Sequence, residues 1–92
     1  MTPLSSEETE ARLTDLPEWT RVGETIERRY EFVDFAESIA FVNRVAALAE
    51  DCNHHPDLAV SWNVVTLWLT TPSEGGLTET DFELARGVDG LT

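Results

Sequence analysis

Two adjacent histidines, His54 and His55, stand directly before Pro56 and are the only histidines of the chain. An unperturbed imidazole titrates near pH 6.5, so either side chain can give and take a proton around neutrality. Pro56 restricts His55 to an extended backbone, which would hold its ring in a fixed direction. The pair therefore suits acid–base chemistry, and it equally suits a structural role in capping carbonyl groups at a helix end. Two histidines without matching cysteines or a third histidine make a poor metal signature, so we expect no metal site.

An aspartate and two tryptophans also allow both a structural and a functional interpretation. Asp81 follows Thr78 by three residues in "TETD", the spacing of a helix-capping box, and its carboxylate could instead orient a histidine or a ligand. Trp62 and Trp68 are typical of a core or a subunit contact, and an aromatic platform for a flat ligand is the sharper alternative. Residue types alone leave these alternatives open.

Composition narrows the class of protein that could carry such a site. The 92 residues include 18 acidic residues, six arginines and no lysine, which gives a formal net charge of -12. A charge of that sign repels the phosphates of nucleic acids and anionic lipids, so we expect neither as a direct partner. The single Cys52 permits no intramolecular disulfide, and no stretch is long and apolar enough to span a bilayer. We expect one cytoplasmic domain over residues 1–92.

Periodicity and capping signals supply the elements that would position these residues. Ser5 with Glu8 predicts a short helix to about Leu13, and "GE" at 23 and 24 predicts a hairpin turn between two alternating strands. Asp34 predicts the start of a long helix up to the histidines. Val, Trp and Thr after Pro56 favour strands near 58–62 and 64–71, and a helix returns in "TETDFELARGVDGL". For the long helix we expect a buried stripe comprising Phe35, Ile39, Val42, Val45 or Ala46, and Ala49.

Two hairpins separated by a helix favour one fold class. We predict an α+β fold, in which a four-stranded antiparallel sheet is covered on one face by three helices in the order α-β-β-α-β-β-α. The uncovered face would carry Trp68 and Trp62, and exposed aromatic side chains on a small domain favour self-association.

Three motifs agree in order and spacing with one known family. "NHHP" at 53–56, "WN" at 62–63 and "GGLTETD" at 75–81, extended back to "YEFVDF", resemble the pterin-4a-carbinolamine dehydratase family over residues 24–90. The resemblance implies dehydration of 4a-hydroxytetrahydropterin to quinonoid dihydropterin, with no metal or organic cofactor. It also implies a homodimer or homotetramer whose small-molecule partner is the pterin.

The same resemblance implies roles for particular residues. His54 and His55 correspond to the active-site pair, with Asp81 as the acid of the "GLTxxD" segment. Pro56, Trp62 and Thr71 are expected to contact the substrate, Pro56 as a rigid support and Trp62 as an aromatic wall. Loss of hydroxide from C4a needs an acid for the departing oxygen and a base for the proton on N5, which two imidazoles can supply.

The chain also departs from the family pattern. Pro72 stands in "TTP" where typical members have a histidine, and Leu58 stands where they have an aromatic residue. Proline transfers no proton, and a single acid–base group contributes about 10² to 10⁴ in rate. The departures therefore keep open a second hypothesis, a weakly active or inactive dehydratase-like module that binds or assembles a protein partner.

Overall fold

The computed structural model describes residues 2–92 and contains the predicted elements in the predicted order. The helices are α1 (Ser6–Leu13), α2 (Phe35–Cys52) and α3 (Glu79–Asp89), and a short 3-10 helix spans Pro72–Glu74. The strands are β1 (Thr20–Val22), β2 (Thr25–Glu31), β3 (Asp57–Ser61) and β4 (Val64–Leu69). The predicted α+β fold class is confirmed. No helix within residues 2–92 is both long and apolar enough to cross a membrane.

The four strands form one antiparallel sheet in the order β1-β2-β4-β3. Gly23 makes the β1–β2 turn with a φ of 62°, a conformation that glycine adopts without strain. β4 lies in the middle, paired with β2 from Ile26↔Leu69 onward and with β3 from Asp57↔Trp68 onward. β3 is therefore an edge strand, and only Pro56 separates it from the two histidines.

The core lies between the helices and one face of this sheet. Alternate residues of β4 are fully buried, which is the period of two that a half-covered strand requires. The buried apolar side chains of the sheet and helices include Ile26, Phe41, Val45, Val65, Leu67, Leu69, Phe82 and Val88.

The predicted buried stripe of α2 is partly wrong. Phe35 and Ile39 are 52% and 37% exposed, whereas Ser38 and Phe41 are fully buried. The helix carries apolar residues on more than one face, so a period of 3.6 residues alone did not identify the face that meets the sheet. Ala49, near the C-terminal end, is buried as predicted.

The last helix is tied to the sheet through the carboxylate of Asp89. It accepts hydrogen bonds from Trp19 Nε1 at 3.0 Å, from Arg28 Nη1 at 2.7 Å and from the hydroxyl of Tyr30. The guanidinium of Arg28 also lies 4.2 Å from the centre of the Tyr30 ring, a cation–π contact. Burial, and next the hydrogen bond to Asp89, raise the pKa of Tyr30 far above its usual range, so its hydroxyl remains a donor.

The first helix is tied to the start of α3. Arg12 Nε donates to Glu79 Oε2 at 2.6 Å, and this hydrogen bond lowers the pKa of Glu79. The backbone N–H of Leu4 donates to the carbonyl of Leu77 at 2.7 Å, directly before α3. Together these contacts fix the N-terminus of α3, the part of the fold that presents Asp81.

Candidate acid–base site

The end of α2 separates the directions of the two histidines. Asn53 adopts the left-handed conformation with a φ of 51°, and the N–H of His54 donates back to the carbonyl of Ala49 at 3.1 Å. This is the closure of a Schellman-type helix end, in which asparagine is one of the few residues tolerated without a large penalty. The side chain of His54 is 14% exposed, whereas that of His55 is 57% exposed.

His54 contacts a buried carboxylate. Its Nε2 lies 2.5 Å from Oδ1 of Asp81, a residue with no exposed surface. An ionised carboxylate only accepts hydrogen bonds, so Nε2 of His54 carries the proton of this contact. In the neutral ring the lone pair then resides on Nδ1, which makes Nδ1 the atom of His54 that can accept a proton.

Asp81 makes both the capping contact and the histidine contact that its position allowed. Its Oδ2 accepts from the backbone N–H of Thr78 at 2.9 Å, which is the capping interaction at the start of α3. The same oxygen accepts from the hydroxyl of Thr71 at 2.8 Å. With Oδ1 on His54, both oxygens of this buried carboxylate have partners, as its burial demands.

His55 contacts a different carboxylate from the one that His54 contacts. Its Nε2 contacts Oε2 of Glu50, an exposed residue five positions earlier on the last turn of α2. The sequence analysis missed Glu50 because a spacing of five across a helix end belongs to no regular periodicity. Glu50 and His55 line a cavity of about 360 Å³, whose other lining residues are apolar: Val45, Ala46, Ala49, Pro56 and Leu58.

The structure thus brings together most, but not all, of the predicted site residues. Thr71, Asp81 and His54 form one hydrogen-bonded group, and His55 and Pro56 line the adjacent cavity. Trp62 lies in the β3–β4 turn, at the end of β3 remote from the histidines, and is 69% exposed. Among residues 2–92, no group of three or more histidine, cysteine, aspartate or glutamate side chains is placed to hold a metal ion.

Comparison with known proteins identifies the family. The family model for pterin 4 alpha carbinolamine dehydratase matches residues 2–91. A relative from Thermosynechococcus vestitus is 49% identical over 88 residues, covering 96% of this chain and 93% of the relative. A relative from Roseiflexus sp. is 50% identical over 88 residues, with 96% and 95% covered. Both carry the name "Putative pterin-4-alpha-carbinolamine dehydratase".

Two solved structures share the fold. A protein from Brucella melitensis, described as a transcriptional coactivator/pterin dehydratase, superposes with a TM-score of 0.93 at 34% identity and covers 98% of each chain. A pterin dehydratase-like protein, described as a RuBisCO assembly factor in the alpha-carboxysome, superposes with a TM-score of 0.69 at 27% identity. The match covers 80% of this chain and 88% of that protein's chain.

Fold and site define a small α+β domain with a histidine pair held by two carboxylates beside an apolar cavity, an arrangement suited to proton transfer. The family model covers nearly the whole of the chain. The chain belongs to the pterin 4 alpha carbinolamine dehydratase family.

Proposed function

We propose that this protein dehydrates a 4a-hydroxytetrahydropterin to the quinonoid dihydropterin, as a hydro-lyase acting in pterin recycling. The observation that carries the proposal is the contact between His54 and the fully buried Asp81, at the helix end that also presents His55. The contact gives the second oxygen of the α3 cap its partner, and that partner is an imidazole, a group that can transfer protons near neutral pH.

The reaction needs one base and one acid, and the two histidines have different surroundings that suit these two roles. The C4a–O bond breaks as its oxygen takes up a proton and leaves as water, and the N5–H bond gives its proton to a base while its electrons form the C4a–N5 double bond. Neutral His54, with its lone pair on Nδ1, is suited to be the base. His55, whose exposed ring contacts Glu50 beside the cavity, is suited to be the acid.

Asp81 contributes through His54. It contacts no part of a ligand that the cavity could hold, because it is fully buried and both its oxygens are engaged. We assign it a positioning role, in which it fixes the ring orientation and tautomer of His54 and stabilises the imidazolium formed when Nδ1 takes the proton.

The cavity beside His55 suits a flat heteroaromatic ring. Its volume of about 360 Å³ falls within the usual range for small-molecule sites, and its lining is apolar except for Glu50 and His55. Pro56 and Leu58 form part of the wall, so the support proposed for Pro56 is compatible with its place. Leu58 offers an aliphatic surface rather than a ring for stacking.

The direct test follows the decay of the 4a-carbinolamine by its ultraviolet absorbance, with enzyme in excess. The expected rate exceeds the uncatalysed loss of water by at least two orders of magnitude, the contribution of one acid–base group. A matched control is Glu83→Gln, which removes an exposed acid from α3 and is expected to retain the full rate. A rate equal to the background at saturating enzyme would reject the proposal.

We infer that two histidines and no third carry the reaction. Pro72 is exposed, begins the 3-10 helix directly after Thr71, and has no proton to transfer. Turnover is therefore expected to be modest, and Pro72→His is expected to increase it.

The likeness to a dehydratase-like RuBisCO assembly factor favours a second candidate, a protein-assembly module. Pull-down of one partner at equal yield by the wild type and by His54→Gln, with no turnover by either, would support that alternative.

We further propose a cytoplasmic homo-oligomer. Phe35 and Ile39 lie exposed on the outer face of α2, and β3 leaves one side of its backbone unpaired at the sheet edge. Exposed apolar side chains and free strand edges are the features that self-association covers. Sedimentation velocity at micromolar concentration is expected to give a mass of two or four chains.

Glu50→Gln tests how much the exposed carboxylate assists His55. We expect kcat to fall by no more than about five-fold, because an exposed ion pair contributes about 1 kcal/mol or less. Both side chains of the pair are more than half exposed, so solvent screens their attraction. Steady-state kinetics of dehydration would measure this. A loss of about 10²-fold or more would show that Glu50 itself moves a proton.

Trp62→Gly tests the predicted aromatic wall. Trp62 has a φ of 52°, a conformation that costs an L-residue about 1–2 kcal/mol and leaves glycine unstrained. Glycine also loses more backbone entropy on folding, which offsets part of this gain in stability. We expect the free energy of unfolding to rise by up to about 1 kcal/mol, and KM for the pterin to stay unchanged because Trp62 is remote from the histidines. A several-fold rise in KM would instead assign the ring to the substrate site.

A further inference from the structure

Thr71 links the loop after β4 to the buried carboxylate. Its backbone pairs with Gly76 in both directions, with N–H···O distances of 3.1 and 3.3 Å, so the intervening loop is closed at its base. Its hydroxyl lies 2.8 Å from Oδ2 of Asp81 and 3.0 Å from the hydroxyl of Thr78. The side chain therefore belongs to the polar cluster behind His54.

The chemistry of the cluster fixes the direction of its hydrogen bonds. An ionised carboxylate cannot donate, so the only proton of the Thr71 hydroxyl is given to Asp81. The hydroxyl of Thr78 must then donate to the oxygen of Thr71. The result is a chain from Thr78 through Thr71 to Oδ2 of Asp81, and each donor in such a chain strengthens the next.

Asp81 needs this second donor to be held in place. The torsion that rotates a carboxylate is broad, so one donor on Oδ2 fixes the plane of the group less firmly than two donors do. The N–H of Thr78 comes from the start of α3, whereas the hydroxyl of Thr71 comes from the loop that follows β4. Two donors from different elements on Oδ2 leave Oδ1 facing Nε2 of His54.

We propose that Thr71 is a positioning residue of the dehydration, which acts on the substrate through Asp81 and His54 and does not bind the substrate directly. The proposal rests on the proposed function and assigns one further residue to the same site. It predicts an effect on kcat without an effect on KM, because a hydroxyl engaged with Asp81 is not available to the pterin.

The test compares Thr71→Val, Thr71→Ala and Thr71→Ser with the neighbouring Thr70→Val. We expect the valine and alanine variants to lose about ten-fold in kcat at unchanged KM, which is the loss of one hydrogen bond to a charged group. Serine restores the hydroxyl and is expected to restore kcat. Thr70 donates to the carbonyl of Glu24 at 2.6 Å and does not contact Asp81, so Thr70→Val controls for the loss of a neighbouring hydroxyl.

A second readout does not depend on turnover. Nitrogen-15 NMR of the imidazole of His54 is expected to show one tautomer, protonated at Nε2, in the wild type and in Thr70→Val. Tautomer exchange is expected in Thr71→Val. Unchanged kcat in Thr71→Val, a change in KM alone, or a serine variant as impaired as valine would overturn the proposal. If the wild type shows no dehydration, the proposed function fails, and the NMR comparison still decides whether Thr71 orients His54.

Discussion

Replacing His54 with glutamine is expected to slow dehydration of the 4a-carbinolamine by about 10²- to 10⁴-fold, while the protein remains folded. The amide nitrogen of glutamine can occupy the place of Nε2 and donate to Oδ1 of Asp81, but the amide neither accepts nor releases a proton at neutral pH. The loss therefore isolates proton transfer from structure. Single-turnover kinetics with enzyme in excess, together with thermal unfolding of the same samples, would measure both quantities.

Two companion variants sharpen this result. His54→Ala is expected to lose as much rate as His54→Gln, and in addition about 1–3 kcal/mol of stability, because it leaves a buried carboxylate oxygen without a partner. His55→Gln is expected to lose rate without loss of stability, because its ring is mostly exposed. If His54→Gln kept the wild-type rate, His54 would be only a cap for α2 and a partner for Asp81.

Asp89→Ala is expected to lower the free energy of unfolding by about 3 kcal/mol. The change leaves the donors of Trp19, Arg28 and Tyr30 without their shared acceptor. It also leaves the charge of Arg28 without the carboxylate that pairs with it, and removing one member of such a partly buried network is costly.

Urea unfolding followed by tryptophan fluorescence would measure this change, since Trp19 reports on the cluster itself. Glu83→Gln is the matched control, because it removes an exposed acid from the same helix. A loss below 1 kcal/mol for Asp89→Ala would mean that water replaces the carboxylate and that the cluster contributes little. Activity per folded molecule is expected to stay near the wild-type value, because Asp89 lies at the other end of α3 from Asp81.

The sequence predicted best what depends on near neighbours in the chain. Ser5 and Glu8 form the predicted capping box, and α2 ends at Cys52, close to the predicted helix end at the histidines. The buried face of α2 was harder to predict from the sequence, because Phe35 and Phe41 are equally apolar. Only packing against the sheet determines which of them is covered. The cluster on Asp89 could not be predicted, because its donors lie 59 to 70 positions away along the chain.

The site was predictable only in part, because some of its contacts join residues that lie far apart in the sequence. The resemblance selected His54, His55 and Asp81, and the spacing of Asp81 from Thr78 left open whether it would cap α3 or orient a histidine. The structure shows both contacts, one with each oxygen. It also shows that the two histidines contact separate carboxylates, which no local pattern predicts because Glu50 and Asp81 lie on different helices.

The central claim is that His54 and Asp81 act as one unit in proton transfer, and a double-mutant cycle tests it most directly. Single-turnover rates of carbinolamine dehydration would be measured for the wild type, His54→Gln, Asp81→Asn and the double variant. We predict that the double variant is no slower than His54→Gln alone, because Asp81 acts only through His54. If the losses of the two single variants multiplied in the double variant, or if the double variant kept the wild-type turnover, the account would be contradicted.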